Sequence, residues 1–257
     1  MINEIYTEGG LTGAAYLNDY VELYNASSNS CNLTNYSIQV ATGNANNFPN
    51  VFGFTSGSII PARGFYLIQF GSGGSNGIPL PSPDFSAATD LSTSGKVALV
   101  ASTSSLTGNC ASNLSGSIDF VGYGSTNCSK TSPAVSPTAA SSIERITNGY
   151  NTNNNNVDFA LRTASPRNTL SPTAAHVSIS GQLQIDGRGV SSARIIMTNQ
   201  LGENVSVRTN QFGYFYFSNI NVGETYVLNV SSKSGSFFPI ILNVQENVTD
   251  LHFELMQ

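Results

Sequence analysis

Short strand-like segments recur along the whole chain, and this pattern restricts the fold more than any other feature of the sequence. In residues 16–25 the side chains alternate with a period of two, so Val21 and Leu23 are expected on one face of a strand and Tyr20 and Glu22 on the other. Similar segments, separated by turn-forming residues, lie at 2–5, 33–40, 65–70, 94–100, 118–123 and 142–146. Amphipathic helical patterns are missing between them. The sequence therefore predicts an all-β sandwich or barrel.

A short segment of mostly small residues, 170–175, contains Pro172 and is interpreted as a linker. After it, apolar residues alternate again up to the Asp-Gly-Arg-Gly sequence at 186–189, which is a strong turn signal. The length of 257 residues is sufficient for two domains, each with its own core. We therefore predict two β-sandwich domains in tandem, at 1–169 and 176–257.

The composition argues against a nucleic-acid partner and a membrane span, and it favours an extracellular location. Charged residues make up 10% of the chain, against about 25% in an average soluble domain. The ten cations are scattered and the net charge is -5, so we expect no nucleic-acid partner. The longest strongly apolar run, 237–242, is interrupted by Pro239 and is much shorter than the roughly 20 residues of a membrane span. A low-charge polar surface is common outside cells. Residues 1–6 lack the basic and apolar regions of a signal peptide, which is therefore either absent or already removed, and removal is favoured.

Candidate catalytic residues are few. Asp19 and Glu22 are three residues apart on a predicted strand and should point to opposite faces, whereas a general acid/base pair must share a cleft. Glu22 is expected instead to accept hydrogen bonds from backbone groups within the sandwich. His176 and His252 are the only histidines, too few by themselves for a zinc site, and no Gly-x-Ser-x-Gly elbow is present. The sequence predicts that the chain is not an enzyme.

Two groups of residues are candidates for binding. Asn154, Asn156 and Asp158 lie in an Asn-rich stretch whose side-chain oxygens suit Ca²⁺, although a solvated turn is favoured because this stretch has one carboxylate and lacks the EF-hand arrangement. Tyr214 and Tyr216 should face outward from a strand, where tyrosines stack on sugars or anchor a protein partner. Cross-strand packing is the alternative role of these tyrosines, and it is the favoured one.

Residues 16–25 resemble the signature of the lamin-tail domain, in its form found in bacterial surface and secreted proteins. The matching segments are Gly9, Gly10, Gly13, 16–25, 33–38, 122–124, 142–145, 154–159 and 166–168, which together cover most of residues 1 to about 169. The resemblance implies an immunoglobulin-like β-sandwich and implies no reaction.

The same resemblance bears on the three cysteines. Bacterial proteins of this type often place a cysteine pair on either side of the segment 117–123, which implies a disulfide between Cys110 and Cys128. This pairing leaves Cys31 without a disulfide partner. Its favoured role is that of a small buried apolar residue, and the alternative is a reactive or intermolecular thiol.

Residues 176–257 resemble the carboxypeptidase-regulatory-like, transthyretin-like fold. The segments that carry this likeness are 209–217, 222–226 and the last strand through Leu251, Phe253 and Leu255. A module of this kind has no peptidase activity by itself.

These interpretations lead to two functional hypotheses. The first is a non-enzymatic extracellular structural or adhesion protein of a bacterial surface, which associates with its own copies into a filament and contacts surface glycans or proteins. Its terminal strands, 2–5 and 251–255, carry no lysine and are expected to pair across subunits. The second is an accessory module that binds a polymer or Ca²⁺ for a secreted enzyme such as a nuclease.

Overall fold

We describe the protein from a computed structural model, which covers residues 1–110, 116–171, 176–200, 202–222 and 224–256. The chain divides into two compact units, Met1–Thr173 and Ala174–Gln257. Most of the segment predicted as a linker, 172–175, lies outside the described residues. The strands are so numerous, and the helix so short, that the predicted all-β fold class is confirmed.

The first unit is built from twelve strands and one short helix in the described residues. In chain order they are β1 Ile2–Tyr6, β2 Tyr20–Tyr24, β3 Cys31–Asn32, β4 Ser37–Thr42, β5 Asn50–Gly53, β6 Ile59–Ile60, β7 Phe65–Gln69, β8 Phe85–Ser86, β9 Gly95–Val100, β10 Ser117–Tyr123, β11 Ser141–Arg145, α1 Asn155–Asp158 and β12 Phe159–Thr163. A six-stranded sheet has the order β12-β11-β1-β2-β7-β8, and a four-stranded sheet has the order β10-β9-β4-β5. Strands β3 and β6 form a separate two-stranded ribbon.

The two larger sheets of this unit pack face to face. Ile5 and Val21 of the six-stranded sheet share one apolar core with Ile38, Val97 and Val121 of the four-stranded sheet. Because apolar side chains of both inner faces meet in one core, the unit is a β-sandwich.

Loops cover the outer faces of this sandwich. On the six-stranded sheet, Tyr6, Tyr20 and Leu67 pack with Ala164 in a second small core. On the four-stranded sheet, Phe48 and Phe120 belong to a third. All five residues of β2 are therefore buried, and the alternation of its side chains separates two buried environments rather than core from solvent.

The second unit has nine strands in its described part. They are β13 His176–Gln182, β14 Gln184–Ile185, β15 Arg188–Gly189, β16 Arg194–Thr198, β17 Asn204–Arg208, β18 Tyr214–Asn221, β19 Thr225–Ser231, β20 Ile240–Asn243 and β21 Val248–Leu251. A three-stranded sheet has the order β18-β13-β21, and a four-stranded sheet has the order β17-β16-β19-β20. Residues of both sheets, among them Ile179, Ile195, Phe217 and Leu228, form one core, so this unit is also a small sandwich.

Strand β21 runs parallel to β13 and comes very close to it at Gly181. A Cβ atom at this position would collide with the carbonyl oxygen of Leu251. Glycine therefore permits the last strand to join the sheet.

In the described ranges, no helix has the length and hydrophobicity needed to cross a bilayer.

Candidate functional site

Three glutamates lie side by side on the outer face of the six-stranded sheet. Glu4 of β1 is directly opposite Glu22 of β2 on one side and Glu144 of β11 on the other. Like charges in such positions repel each other. They are covered by Arg167, whose Nη2 donates to Glu22 Oε1 at 3.0 Å and to Glu144 Oε1 at 2.7 Å. We call these four residues the glutamate row.

Glu22 is fully buried and has four hydrogen bonds. Its Oε1 accepts from Asn3 Nδ2 at 2.9 Å, and its Oε2 accepts from the backbone N–H of Arg167 at 2.7 Å and from Arg167 Nε at 3.2 Å. The guanidinium also lies 3.9 Å from the centre of the Phe65 ring, a favourable cation–π contact. Glu22 thus accepts backbone and side-chain hydrogen bonds within the sandwich, and it attaches the segment around Arg167 to the sheet.

Glu4 is equally buried, and its environment disfavours the ionised form. Oε1 accepts from the hydroxyls of Tyr20 and Ser142 and from the backbone N–H of Ser165, while Oε2 has no hydrogen-bond partner in the described residues. Burial raises the pKa of Glu4, against the effect of these hydrogen bonds.

The pKa of Glu22 is raised to about 7, chiefly by burial, and Arg167 offsets only part of this effect. Burial and the neighbouring Glu4 work against Arg167, whose guanidinium is shared with Glu144. Glu22 therefore carries a proton at mildly acidic pH. The carboxyl groups of Glu4 and Glu22 are buried and that of Glu144 is half-buried, and all three are hydrogen-bonded within the unit, so they do not form an open catalytic cleft.

Asp19 belongs to a different environment. Its Oδ1 accepts from the backbone N–H of Gly9 at 2.7 Å and its Oδ2 from that of Leu91 at 2.8 Å, so the carboxyl group joins two loops. Burial raises the pKa of Asp19 to about 6. Asp19 and Glu22 have no hydrogen-bond donor in common among the described residues.

The calcium candidates support the short helix α1. Asn154 is its N-cap, with Oδ1 accepting from the backbone N–H of Asn156 at 3.2 Å. Asp158 Oδ1 accepts from the N–H and the hydroxyl of Thr152, and its Oδ2 lies 3.4 Å from Arg145 Nη1. The Asp158 carboxylate is therefore turned toward a buried arginine and engaged within the fold.

Arg145 makes hydrogen bonds and ion pairs to several segments of the first unit. Its Nη2 donates to Asp119 Oδ2 at 2.8 Å, its Nε donates to the carbonyl of Ile2 at 2.7 Å, and Lys130 Nζ reaches the other Asp119 oxygen at 2.8 Å. Burial opposes ionisation of Asp119, but the two cations hold its pKa below the usual value. The sequence analysis did not identify this cluster, because its members come from distant segments.

Histidine and acidic residues do not gather into a metal site in the part of the chain that is described. No group of three or more His, Cys, Asp or Glu side chains there could hold a metal ion. His252 is exposed near the end of the second unit, and the side chain of His176 lies outside the described atoms.

Two cysteines and one lysine connect the loops beside the four-stranded sheet. Cys110 and Cys128 form a disulfide, as the family resemblance implied. Lys96 of β9 is buried, and its Nζ donates to the Ala45 carbonyl at 2.6 Å, the Asn109 carbonyl at 2.9 Å and Asn127 Oδ1 at 2.8 Å. Desolvation lowers the pKa of Lys96, while the three acceptors match the three donors of an ammonium group.

Cys31 is a free thiol on β3. It is half-buried and packs against the main core of the first unit. This position agrees with the interpretation as a small apolar residue.

Strand β18 carries the two candidate binding residues, Tyr214 and Tyr216, on its solvent-exposed face. Phe215 and Phe217 are buried in the core, whereas Tyr214 and Tyr216 are 53% and 60% exposed, as the alternation predicted. In the described residues β18 pairs only with β13, so its other edge presents unpaired backbone groups. A register shift beside Ile179 and the positive φ of Asn219 interrupt the far end of the strand.

The other edge strands are shorter or carry charge. Strands β5, β8 and β20 have four residues or fewer, and β10, β12, β17 and β21 each contain a charged residue. Strand β18 has eight residues and no charge. It is therefore the edge least protected against pairing with another strand.

The expectation for the first strand is wrong. Strand β1 lies inside its sheet, between β11 and β2, and has no free edge for pairing across subunits. Its lack of lysine reflects burial: all five of its residues are buried. The last strand, β21, does lie at a sheet edge, over Val248–Leu251.

Comparison with known proteins gives one family match. The model of the Lamin Tail Domain family matches residues 1–125, and no curated protein sequence matches the chain. Strands β11 and β12 lie beyond the matched residues but complete the same six-stranded sheet. The family match therefore ends before the first compact unit does.

Three solved structures resemble the chain weakly. The TIE protein of Bacillus anthracis has 9% identity and a TM-score of 0.27, and the match covers 99% of this chain and 34% of that protein. The major pilin subunit of Bacillus cereus has 11% identity and a TM-score of 0.29, with 100% and 70% coverage. The pilus 2b backbone protein of group B streptococcus has 10% identity and a TM-score of 0.26, with 98% of both chains covered.

Proposed function

We propose that this chain is a non-enzymatic structural or adhesion protein of the bacterial cell surface, which associates with its own copies through strand β18. The observation that carries the proposal is the free, uncharged edge of β18 with Tyr214 and Tyr216 exposed beside it. Such an edge forms main-chain hydrogen bonds with an added strand, and outward tyrosines supply contact area to a partner.

The geometry of the self-association decides whether a filament forms. Pairing of β18 with β18 of a second copy is isologous and ends at a dimer. Pairing of β18 with β21 of the next copy is heterologous, because these strands are the two edges of one sheet. Repetition of this contact continues the sheet without closing it, so we favour β18–β21 pairing for a filament.

The non-enzymatic role is supported by the acidic residues of the first unit. Besides Glu4, the buried carboxyl groups with an altered pKa are those of Asp19, Glu22 and Asp119. Each of these three accepts hydrogen bonds from donors within the first unit. An extracellular location is supported by the Cys110–Cys128 disulfide, since disulfides form in oxidising compartments.

Concentration-dependent light scattering of the wild-type protein, with electron microscopy, tests the self-association. The variant Tyr216→Lys places a charge on β18, and we expect it to shift the protein toward the monomer. Asn229→Lys is the matched control, because Asn229 is exposed on β19, a strand that is paired on both sides. A wild-type protein that stays monomeric at high concentration, or equal association of both variants, contradicts the proposal.

A second candidate function is an accessory module that binds a polymer or Ca²⁺ for a secreted enzyme such as a nuclease. A groove lined by cations in the second unit favours the polymer-binding form of this candidate.

A further inference from the structure

All four arginine and lysine residues of the second unit lie around two adjoining pockets. Arg194, Arg208 and Lys233 line a cavity of about 560 Å³, and Arg188 lines a neighbouring one of about 660 Å³. Ser191 and Ser234 belong to both linings, so the two cavities form one continuous region, which we call the cationic groove.

The charges of the cationic groove are not balanced by acidic residues. Among the described residues, every ion pair within 4.0 Å belongs to the first unit. Asp186 is the one carboxylate in either lining. In a chain with a net charge of -5, four cations that share a groove with one acid form a local positive potential.

Two of these cations are forced close together by the sheet. Arg194 of β16 is directly opposite Arg208 of β17, and Ser231 of β19 lies opposite Arg194 on the other side. Side chains in directly opposite positions have Cβ atoms about 5 Å apart, and like charges there are destabilising. An anion bound between the two guanidinium groups would relieve this repulsion.

Hydrogen bonds hold both arginines in place. Arg194 Nε donates to Ser206 Oγ at 3.0 Å, and Arg208 Nη1 donates to the carbonyl of Ser192 at 3.1 Å. Each guanidinium has five N–H donors, so further donors remain for a ligand. A guanidinium fork matches the oxygens of a tetrahedral oxyanion better than an ammonium does.

We propose that the cationic groove binds sulfate or phosphate ester groups of an acidic polysaccharide. The serine-rich lining supplies hydroxyl groups that hydrogen-bond to ester and sugar oxygens. Aromatic side chains, on which nucleic-acid bases stack, do not occur in either lining. The oxyanion chemistry follows from the groove itself, and the choice of polysaccharide as carrier rests on the proposed extracellular role.

Affinity measurements on the full chain test the proposal, with heparin as a sulfated polysaccharide, phosphomannan as a phosphorylated one and dextran as a neutral one. We expect heparin, phosphomannan or both to bind, with affinity falling as salt rises, and dextran not to bind. Arg194→Gln and Arg208→Gln should each weaken binding about tenfold, because each removes a charge-assisted contact. Inorganic sulfate at high concentration should compete in the wild-type protein.

Arg162→Gln is the matched control, since Arg162 is an exposed arginine on a strand of the first unit. This substitution removes one positive charge, as Arg194→Gln and Arg208→Gln do. It should leave binding unchanged. Both groove variants should keep or raise the melting temperature, because they relieve the repulsion between Arg194 and Arg208.

Three results would overturn the proposal: no binding of either acidic polysaccharide, equal binding by wild type and groove variants, or tighter binding of a single-stranded oligonucleotide than of both polysaccharides. The groove variants leave β18 unchanged. Loss of polysaccharide binding with intact self-association therefore separates this proposal from the proposed function.

Discussion

The glutamate row predicts that the first unit is more stable near pH 5 than at pH 8. Glu22 has a pKa of about 7 in the folded protein against an ordinary value of 4.5. Between these two values the folded state binds more protons than the unfolded state, so stability rises as the pH falls. The contribution is fully present below pH 4.5 and is lost as the pH rises through about 7.

The size of this effect follows from the pKa values. The difference between 4.5 and about 7 corresponds to about 3 kcal/mol. Asp19 changes from 3.8 to about 6 and adds an effect of the same sign, of which about 1.4 kcal/mol falls between pH 8 and pH 5. Asp119 acts in the opposite direction, because its pKa is lowered, but its stabilising contribution is lost only as the pH falls through that lowered pKa.

Calorimetry of the full chain at constant ionic strength, in steps from pH 8 to pH 5, measures the effect. For a unit of this size, 3 kcal/mol corresponds to a rise in melting temperature of about 6 to 12 °C. Glu22→Gln removes one titrating group and should reduce this dependence to the part that Asp19 and Glu4 contribute, and the transition it changes is that of the first unit. Glu254→Gln, at an exposed position of the second unit, is the control.

The reasoning fails if the melting temperature of the wild-type first unit is constant or falls between pH 8 and pH 5. It also fails if Glu22→Gln keeps the full wild-type slope.

Three further predictions concern the first unit and the absence of catalysis. Lys96→Met removes an ammonium group that donates to three part-buried oxygen acceptors and should destabilise the protein by about 1–3 kcal/mol in urea denaturation, whereas the exposed Lys233→Met should have little effect. Peptide mapping without reduction should find Cys110 linked to Cys128, and reduction should lower stability by about 3 kcal/mol; free thiols at both positions would contradict the pairing. Nucleic-acid, peptide and glycan substrates should not be hydrolysed with or without divalent metals, and turnover that is abolished by Asp19→Asn would refute this.

Strand β18 of the second unit was predictable from local alternation. The outer face of β18 is open to solvent, so polar and apolar residues alternate visibly from Tyr214 to Phe217. In β2 the same rule correctly separated Glu22 from Val21, but it gave no indication that both faces are buried. Loops far away in the sequence cover the outer face, and no pattern within β2 records their presence.

Partners of buried charges were the least predictable part. Glu22 was expected to accept hydrogen bonds within the sandwich, but its main partner could not be named, because Arg167 is 145 residues away in the sequence. Similarly, Asp158 was considered as a calcium ligand because its neighbours are asparagines, whereas the preceding strand, β11, places Arg145 beside it. Pairings of this kind depend on sheet order, and local sequence does not encode the position of β1 between β2 and β11.

The central position of β1 has a consequence for the folding of the chain. During synthesis, β1 and β2 are made early and can pair at once, but Ile5 must wait for Ile143 before its second edge is closed. Contacts across such sequence separations slow folding, because a large loop must be ordered before they form. Until then β1 presents an apolar edge that can pair with another chain. We therefore expect the nascent first unit to need protection from aggregation until β11 and β12 have been synthesised.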